Sequence, residues 1–251
     1  DMFGLDEASA PVQLSAVEVA AWDETERLAA EKQTLGLYLT GHPIDRYCPE
    51  LRHVVSGTLR QLIERSGGQG ESTVVAAGLV VELRTRNGNR GGRMAFLTLD
   101  DDSARIEVRI FPELVEQVRP LLEEDATLVV RGALGYDDFR DSHRLTAEQV
   151  WDIDGARAQF ARRLVLALDA DQCGNGLLEQ LDAALSEHRA AGCPVCIDYT
   201  RSGARAELLL DPETWRVRPS EHLLQRLRQL LGSGERVRLE YGPRARTHEL
   251  A

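Results

Sequence analysis

The sequence predicts an α+β chain of several domains: a helical connector, a five-stranded β-barrel of the OB type, and a small α+β domain at the C-terminal end. Three observations carry that prediction. Apolar residues recur at helical spacing before residue 66 and at every second position after residue 72. A Gly/Ser stretch, Ser66-Gly67-Gly68-Gln69-Gly70-Glu71-Ser72, separates the two patterns as a linker. Beyond residue 158, helical and strand patterns alternate again. The domains are therefore expected at 1–72, 73–153 and 154–251.

The connector begins with a helix over 15–40, carried by Val17, Ala20, Ala21, Thr25, Leu28, Ala29 and Leu35. Ser15 with Glu18 three residues on has the capping-box pattern. Gly41-His42-Pro43 is expected to stop it, since proline cannot continue a helix and disfavours helical geometry at the residue before it. A second helix at about 58–65 places Leu59, Leu62 and Ile63 on one face.

In the barrel, Val75, Ala77, Leu79, Val81 and Leu83 alternate along the first strand, which runs into a basic, glycine-rich loop at 86–92. The second strand, 93–100, sets Ala95, Leu97 and Leu99 against Met94, Phe96 and Thr98. The third puts Ile106, Val108 and Ile110 inside. A helix at about 112–123 and strands at 127–136 and 144–151 follow. Three strands, a helix and two strands is the order of an OB barrel. The last domain reads as a strand (162–169), a helix (175–190), a hairpin near 195–200 and 205–210 turning at Gly203, a helix (220–231) and a strand (236–241).

Composition narrows the function. No apolar run approaches the ~20 residues that a membrane span needs, and no signal peptide is visible, so a cytoplasmic location and no membrane partner are expected. The chain opens without an initiator Met, which suggests a piece of a longer polypeptide. With 30 basic and 41 acidic residues the net charge is −11, the wrong sign for a protein held mainly by phosphate contacts. Residues 154–251 are charge-balanced, with 14 of each sign, which favours a protein partner there.

Catalytic signatures are sparse. There is no Walker loop, no GxSxG elbow and no HExxH. Asp100-Asp101-Asp102 resembles a metal-binding run, but three successive side chains diverge, so a solvated turn is expected and no metal site. Cys193-Pro-Val-Cys196 has zinc or redox spacing without a second half. It is expected to end a turn at Gly192-Cys193-Pro194 and enter a strand at Cys196. No active site and no cofactor are expected in this chain.

The barrel does carry binding chemistry. OB barrels take nucleic acid across the second and third strands and the flanking loops. Those elements hold Arg86, Arg90 and Arg93, then Phe96, Arg105 and Arg109, then Tyr136, Phe139 and Arg140. The alternative is a barrel face that serves protein contacts alone.

Three stretches together resemble the C-terminal region of the alpha (polymerase) subunit of bacterial DNA polymerase III. They are Glu31-Lys32-Gln33-Thr34-Leu35-Gly36-Leu37-Tyr38-Leu39-Thr40-Gly41-His42-Pro43-Ile44, the strand Arg93-Met94-Ala95-Phe96-Leu97-Thr98-Leu99-Asp100-Asp101, and the opening Asp1-Met2-Phe3-Gly4-Leu5. The opening resembles the tail of that family's internal sliding-clamp motif, without its leading Gln. The resemblance implies that Met2 and Phe3 are clamp-binding plugs. It implies single-stranded DNA on the barrel, and the tau subunit of the clamp loader on the last domain. There Arg226, Arg236, Arg238 and Tyr241 are the expected contacts, beside a stripe of Leu223, Leu224, Leu227, Leu230 and Leu231 that packs largely on the domain's own sheet. The family's catalytic aspartates and their Mg2+ lie upstream, so polymerase activity is implied for the parent protein only. A competing reading is a free-standing OB module that binds RNA, like the anticodon-binding domain of a class II tRNA synthetase; the helical connector at 15–65 argues against it.

Overall fold

In a computed structural model the described residues are 22–66, 70–87, 91–137, 141–174 and 176–242. They fall in two compact units, 1–41 and 42–251. In the first, helix α1 (Glu24–Leu35) starts at Asp23, whose side chain accepts from the Glu26 N–H while Glu26 reaches back to Asp23, a complete capping box. The expected cap at Ser15 lies outside the described residues. The helix ends earlier than expected, at Gly36, not at Gly41-His42-Pro43. Gly36 takes φ 75°, a left-handed cap that a Cβ would disfavour. The chain beyond it is fastened by Glu31, whose carboxylate accepts from Leu39 N (2.7 Å), Thr40 N (3.1 Å) and the Thr40 hydroxyl (2.7 Å).

The second unit opens with two short helices, α2 (Cys48–Leu51) and α3 (Leu59–Ser66). The barrel follows: β1 (Ser72–Asn87), β2 (Arg93–Asp100), β3 (Arg105–Ile110), helix α4 (Pro112–Val118) with a 3-10 turn to Leu121, β4 (Thr127–Asp137) and β5 (Ser142–Asp152). Its order is β1-β2-β3-β5-β4, closed by β1 against β4 and by a parallel pairing of β3 with β5. This is the OB arrangement. Ala95, Leu97, Leu99, Ile106, Val108 and Ile110 all enter the core, as their alternation predicts.

Strand β1 departs from its expected face. The barrel core takes Val74, Ala76 and Val80, while Val75 and Ala77 turn outward onto a second cluster with Ile44, Leu51, Val129 and Ile153. A strand covered on both faces shows no clean alternation. An irregularity between Val80 and Glu82 then shifts the parity, so that Leu83 faces the core.

The remainder is helix α5 (Ile153–Phe160), β6 (Ala161–Asp169), α6 (Leu177–Glu187), β7 (Arg189–Arg201), β8 (Ala204–Leu209), β9 (Arg216–Val217), α7 (Glu221–Leu231) and β10 (Val237–Tyr241). Strands order as β10-β6-β7-β8, with β6 and β7 parallel and β9 pairing β7. One sheet face, with Leu164, Leu166, Leu168 and Val195, packs on Leu181, Leu185, Leu223, Leu224, Leu227 and Leu231 of α6 and α7. The leucine stripe is thus largely core. Helix α5 was not expected from the sequence, where Gly155 masks it. Its signal was Asp152 as N-cap, accepting from Gly155 N at 2.6 Å, with Ile153 and Ala156 buried. Helix α6 is shorter than its expected span, because the chain returns as a strand at Arg189.

The cysteine pair also departs from its expected placement. Cys193 is no turn residue but sits inside β7, and both Cys193 and Cys196 are buried free thiols. Burial pushes the Cys193 thiol up to about 11, so it stays protonated and inert.

Candidate nucleic-acid interface

Register across β1, β2 and β3 builds the outer face of the barrel row by row. Phe96 lies opposite Arg84 on one side and Arg109 on the other, and Arg109 faces Thr146 of β5. The next row holds Glu82, Thr98, Glu107 and Arg144, and the row toward the open end pairs Arg86 with Met94. Glu82, Arg84, Arg86, Phe96, Thr98 and Glu107 line one shallow groove. An aromatic ring with an arginine opposite it on each neighbouring strand is the residue set of a base-stacking platform.

The predicted residues divide by what else they touch. Arg86 and Arg93 are exposed and make no ion pair among the described residues. Phe96 is half-buried at the centre of the groove. Arg105 is bound to Asp100 (Nε–Oδ2 2.6 Å), and Arg109 bonds Thr146 Oγ1 (3.2 Å) and lies over the Phe111 ring at 4.8 Å. Tyr136 donates to Asp141 and packs edge-on against His143. Arg90, Phe139 and Arg140 lie outside the described residues, as do Met2 and Phe3.

Acidic side chains temper this face. Arg84 bonds Glu82 through Nε at 2.8 Å, and Arg144 bonds Glu107 at 2.9 Å and also Asp137. Neither Arg84 nor Glu107 was singled out from the sequence. Their signal was parity: Glu82, Arg84 and Arg86 alternate with the inward Leu83, opposite Phe96 and Thr98.

The aspartate run makes the turn after β2 as expected, with Asp102 exposed at its tip and only Asp100 drawn inward. Asp100 is buried; burial raises its carboxyl, but the Arg105 hydrogen bond, the Asp102 N–H and the charges of Arg105 and His42 outweigh that and hold it below its ordinary value. Asp101 accepts from Ser103 N (3.0 Å) and Ala104 N (3.1 Å), and from Leu59 N (2.8 Å) at the start of α3. The Asp100 and Asp101 side chains face different partners and Asp102 is exposed, and no three His, Cys, Asp or Glu converge on a metal position among the described residues.

In the last domain Arg236 ends the 3-10 turn before β10 and bonds Asp169 (2.8 Å), while Arg238 of β10 lies on the sheet face away from the helices and bonds Asp198 (3.4 Å). Arg226 pairs with Glu187 across α6 and α7 at 2.6 Å. Tyr241 points elsewhere: it donates to Glu50 and stacks on His53 at 5.7 Å.

The sequence profile described as DNA polymerase III subunit alpha, C-terminal domain, matches residues 180–232, and that described as OB-fold nucleic acid binding domain matches 74–153. The DNA polymerase III subunit alpha of Escherichia coli strain K12 is 41% identical over 242 residues, 96% of this chain and 20% of its own length. The chain matches the C-terminal region of the DNA polymerase III alpha subunit. The alpha subunits of Vibrio cholerae serotype O1 (96% of this chain, 20% of its own) and Pseudomonas aeruginosa (92% and 19%) are each 40% identical to it. The chain spans about a fifth of the length of these alpha subunits. A free-standing OB module would match over the barrel alone, whereas this match to alpha subunits runs through the connector and the last domain as well. Among solved structures, the single-stranded DNA binding protein from Thermus aquaticus aligns with 32% of this chain and 39% of its own, at 24% identity and a TM-score of 0.29. No described helix is long and apolar enough to cross a membrane.

Proposed function

We propose that this chain is the tethering region of a replicative DNA polymerase III alpha subunit. The barrel holds single-stranded template, Met2 and Phe3 meet the sliding clamp, and the last domain meets the clamp-loader tau subunit. Nucleotide addition, with its Mg2+, belongs to the remainder of the polypeptide, and the setting is the cytoplasm. Holding strand, clamp and loader near a remote active site raises their effective concentration, so the polymerase rebinds before it departs. The observation that carries this reading is the row Arg84–Phe96–Arg109 across β1, β2 and β3. The acidic neighbours Glu82 and Glu107 make the interaction weak, and its arginine–phosphate contacts make it salt-sensitive, as a tether that must slide requires.

Two measurements test it. In fluorescence anisotropy, the chain binds single strands more tightly than duplex, and Phe96→Leu weakens single-strand binding by about 1–3 kcal/mol, the worth of one stacked base. Arg86→Ala lowers the salt slope, while Arg226→Ala, on the far domain, changes nothing. Unchanged affinity in Phe96→Leu moves the DNA site off this face. For tau, calorimetry on the full chain is expected to show binding that the double variant Arg236→Ala, Arg238→Ala weakens by about tenfold or more. Full affinity in that variant assigns the tau surface elsewhere.

A further inference from the structure

Strand β8 is the outer edge of the C-terminal sheet, and all six of its residues are exposed. Leu208 and Leu209 are 51% and 57% exposed. Leu208 lies opposite Ile197, on the side where α6 and α7 cover the other strands, yet the helical layer stops short of it. Edges of this kind are usually blunted by proline, lysine, a bulge or a covering element. β8 has no proline, no lysine and no register shift against β7, and its two charged residues, Arg205 and Glu207, are each already paired to an inner strand.

The open face of the same sheet carries two ionic chains that both end on this edge. One runs from Glu240 of β10 through Arg163 of β6 to Glu207, with Arg163 Nε at 2.7 Å from Glu240 and Nη1 on Glu207. The other runs from Arg238 through Asp198 of β7 to Arg205, at 3.4 and 2.5 Å. The first chain therefore presents a negative end at the edge and the second a positive end, two residues apart. The Arg205 and Glu207 side chains are 69% and 57% exposed.

We propose that β8 is a self-pairing edge, at which a second copy of this chain adds its own β8 antiparallel about a two-fold axis through Ala206. In that register Arg205 faces the other copy's Glu207, Ala204 faces its Leu208, and Ala206 faces itself. Directly opposite residues on an antiparallel pair lie on one side of the sheet, so both matches are made at once and made twice. Each ionic chain then continues into the other copy with its sign alternating unbroken: Glu240, Arg163, Glu207, then the second copy's Arg205, Asp198 and Arg238. A strand pair supplies the backbone hydrogen bonds, and the ladder of charges sets the register, because a slip of two residues breaks it. The inference concerns a surface separate from the barrel face and does not rest on the replication reading.

Sedimentation equilibrium of the full chain tests it. The wild-type chain is expected to show a concentration-dependent dimer. Glu207→Arg alone and Arg205→Glu alone each place like charges opposite one another and weaken association by about tenfold or more. An equimolar mixture of the two variants recovers a dimer, since every new charge then faces its opposite. Leu208→Lys leaves both ionic chains intact and also weakens the dimer, which separates loss of pairing from loss of fold. A wild-type chain that is monomeric at every concentration overturns the proposal, and so does a dimer that survives Leu208→Lys. A mixture that stays monomeric overturns the register. If the chain is monomeric and Leu208→Lys instead abolishes tau binding, the edge belongs to that partner and the self-pairing is wrong.

Discussion

Arg157→Met is expected to destabilise the chain by about 3–5 kcal/mol, the cost of removing one member of a buried ionic cluster and leaving its partners uncompensated. Arg157 is 4% exposed. Its Nε and Nη2 bond Glu50 at 2.9 and 3.0 Å, and its Nη1 bonds Asp154 at 3.1 Å and Glu221 at 2.8 Å. The Tyr47 ring lies 6.0 Å away, and Tyr241 donates to the same Glu50. Burial acts to lower the guanidinium's pKa, and the bonds to Glu50 and then Glu221 overcome it and raise it above its ordinary value. One side chain thus ties α2, α5 and α7 together, with β10 joined through Tyr241, so its loss loosens the last domain from the barrel. Urea unfolding followed by tryptophan fluorescence checks this; a midpoint and slope equal to wild type would refute it.

The same cluster sets an acid limit. Burial raises the Glu221 carboxyl, but Arg157 and Arg228 hold it below its ordinary 4.5. A carboxylate lowered by folding contributes stability above its unfolded value, and that contribution is lost as pH falls through the lower folded value. The stability of Arg157→Met is accordingly expected to fall less steeply below about pH 4.5 than that of wild type.

Gly132→Ala is expected to cost about 3 kcal/mol, at the upper end of overpacking penalties, and to open the barrel between β4 and β5. A Cβ at Gly132 would stand 2.0 Å from the Thr146 carbonyl oxygen and 2.8 Å from its carbon. Both contacts are backbone, and Gly132 sits where the β4–β5 register shifts after Arg131, so neither strand can move without losing ladder bonds. Gly135→Ala, three residues on, is the control. Its Cβ would meet only the Glu71 side chain, at 3.2 Å, which can swing away. Thermal melting with hydrogen exchange across β4 and β5 reads both variants, and equal melting temperatures would sink the argument.

The candidate site was legible as far as parity carried it. Phe96, Arg105 and Arg109 were readable as outward residues because β2 and β3 alternate cleanly over six to eight positions. Glu107 was readable as outward too, but its part in the site, like that of Arg84, comes from standing beside Arg144 and Phe96 on neighbouring strands. Arg105 looked available in the sequence, but its guanidinium is held by Asp100.

What the sequence determined by itself is the order of elements: helix, barrel strands with one intervening helix, then an α+β unit. Period, glycines and prolines act over a few residues, so they are written locally. Tertiary structure alone decided the rest. The inward face of β1 depends on α2 and α5 covering its outer side, and the end of α1 depends on Glu31 catching Leu39 and Thr40. The cluster at Arg157 joins residues 107 apart in the chain, and the Tyr241–Glu50 contact spans 191. Contacts between residues so far apart leave no periodic trace, because nothing in the neighbourhood of either partner depends on the other until the chain has closed on itself.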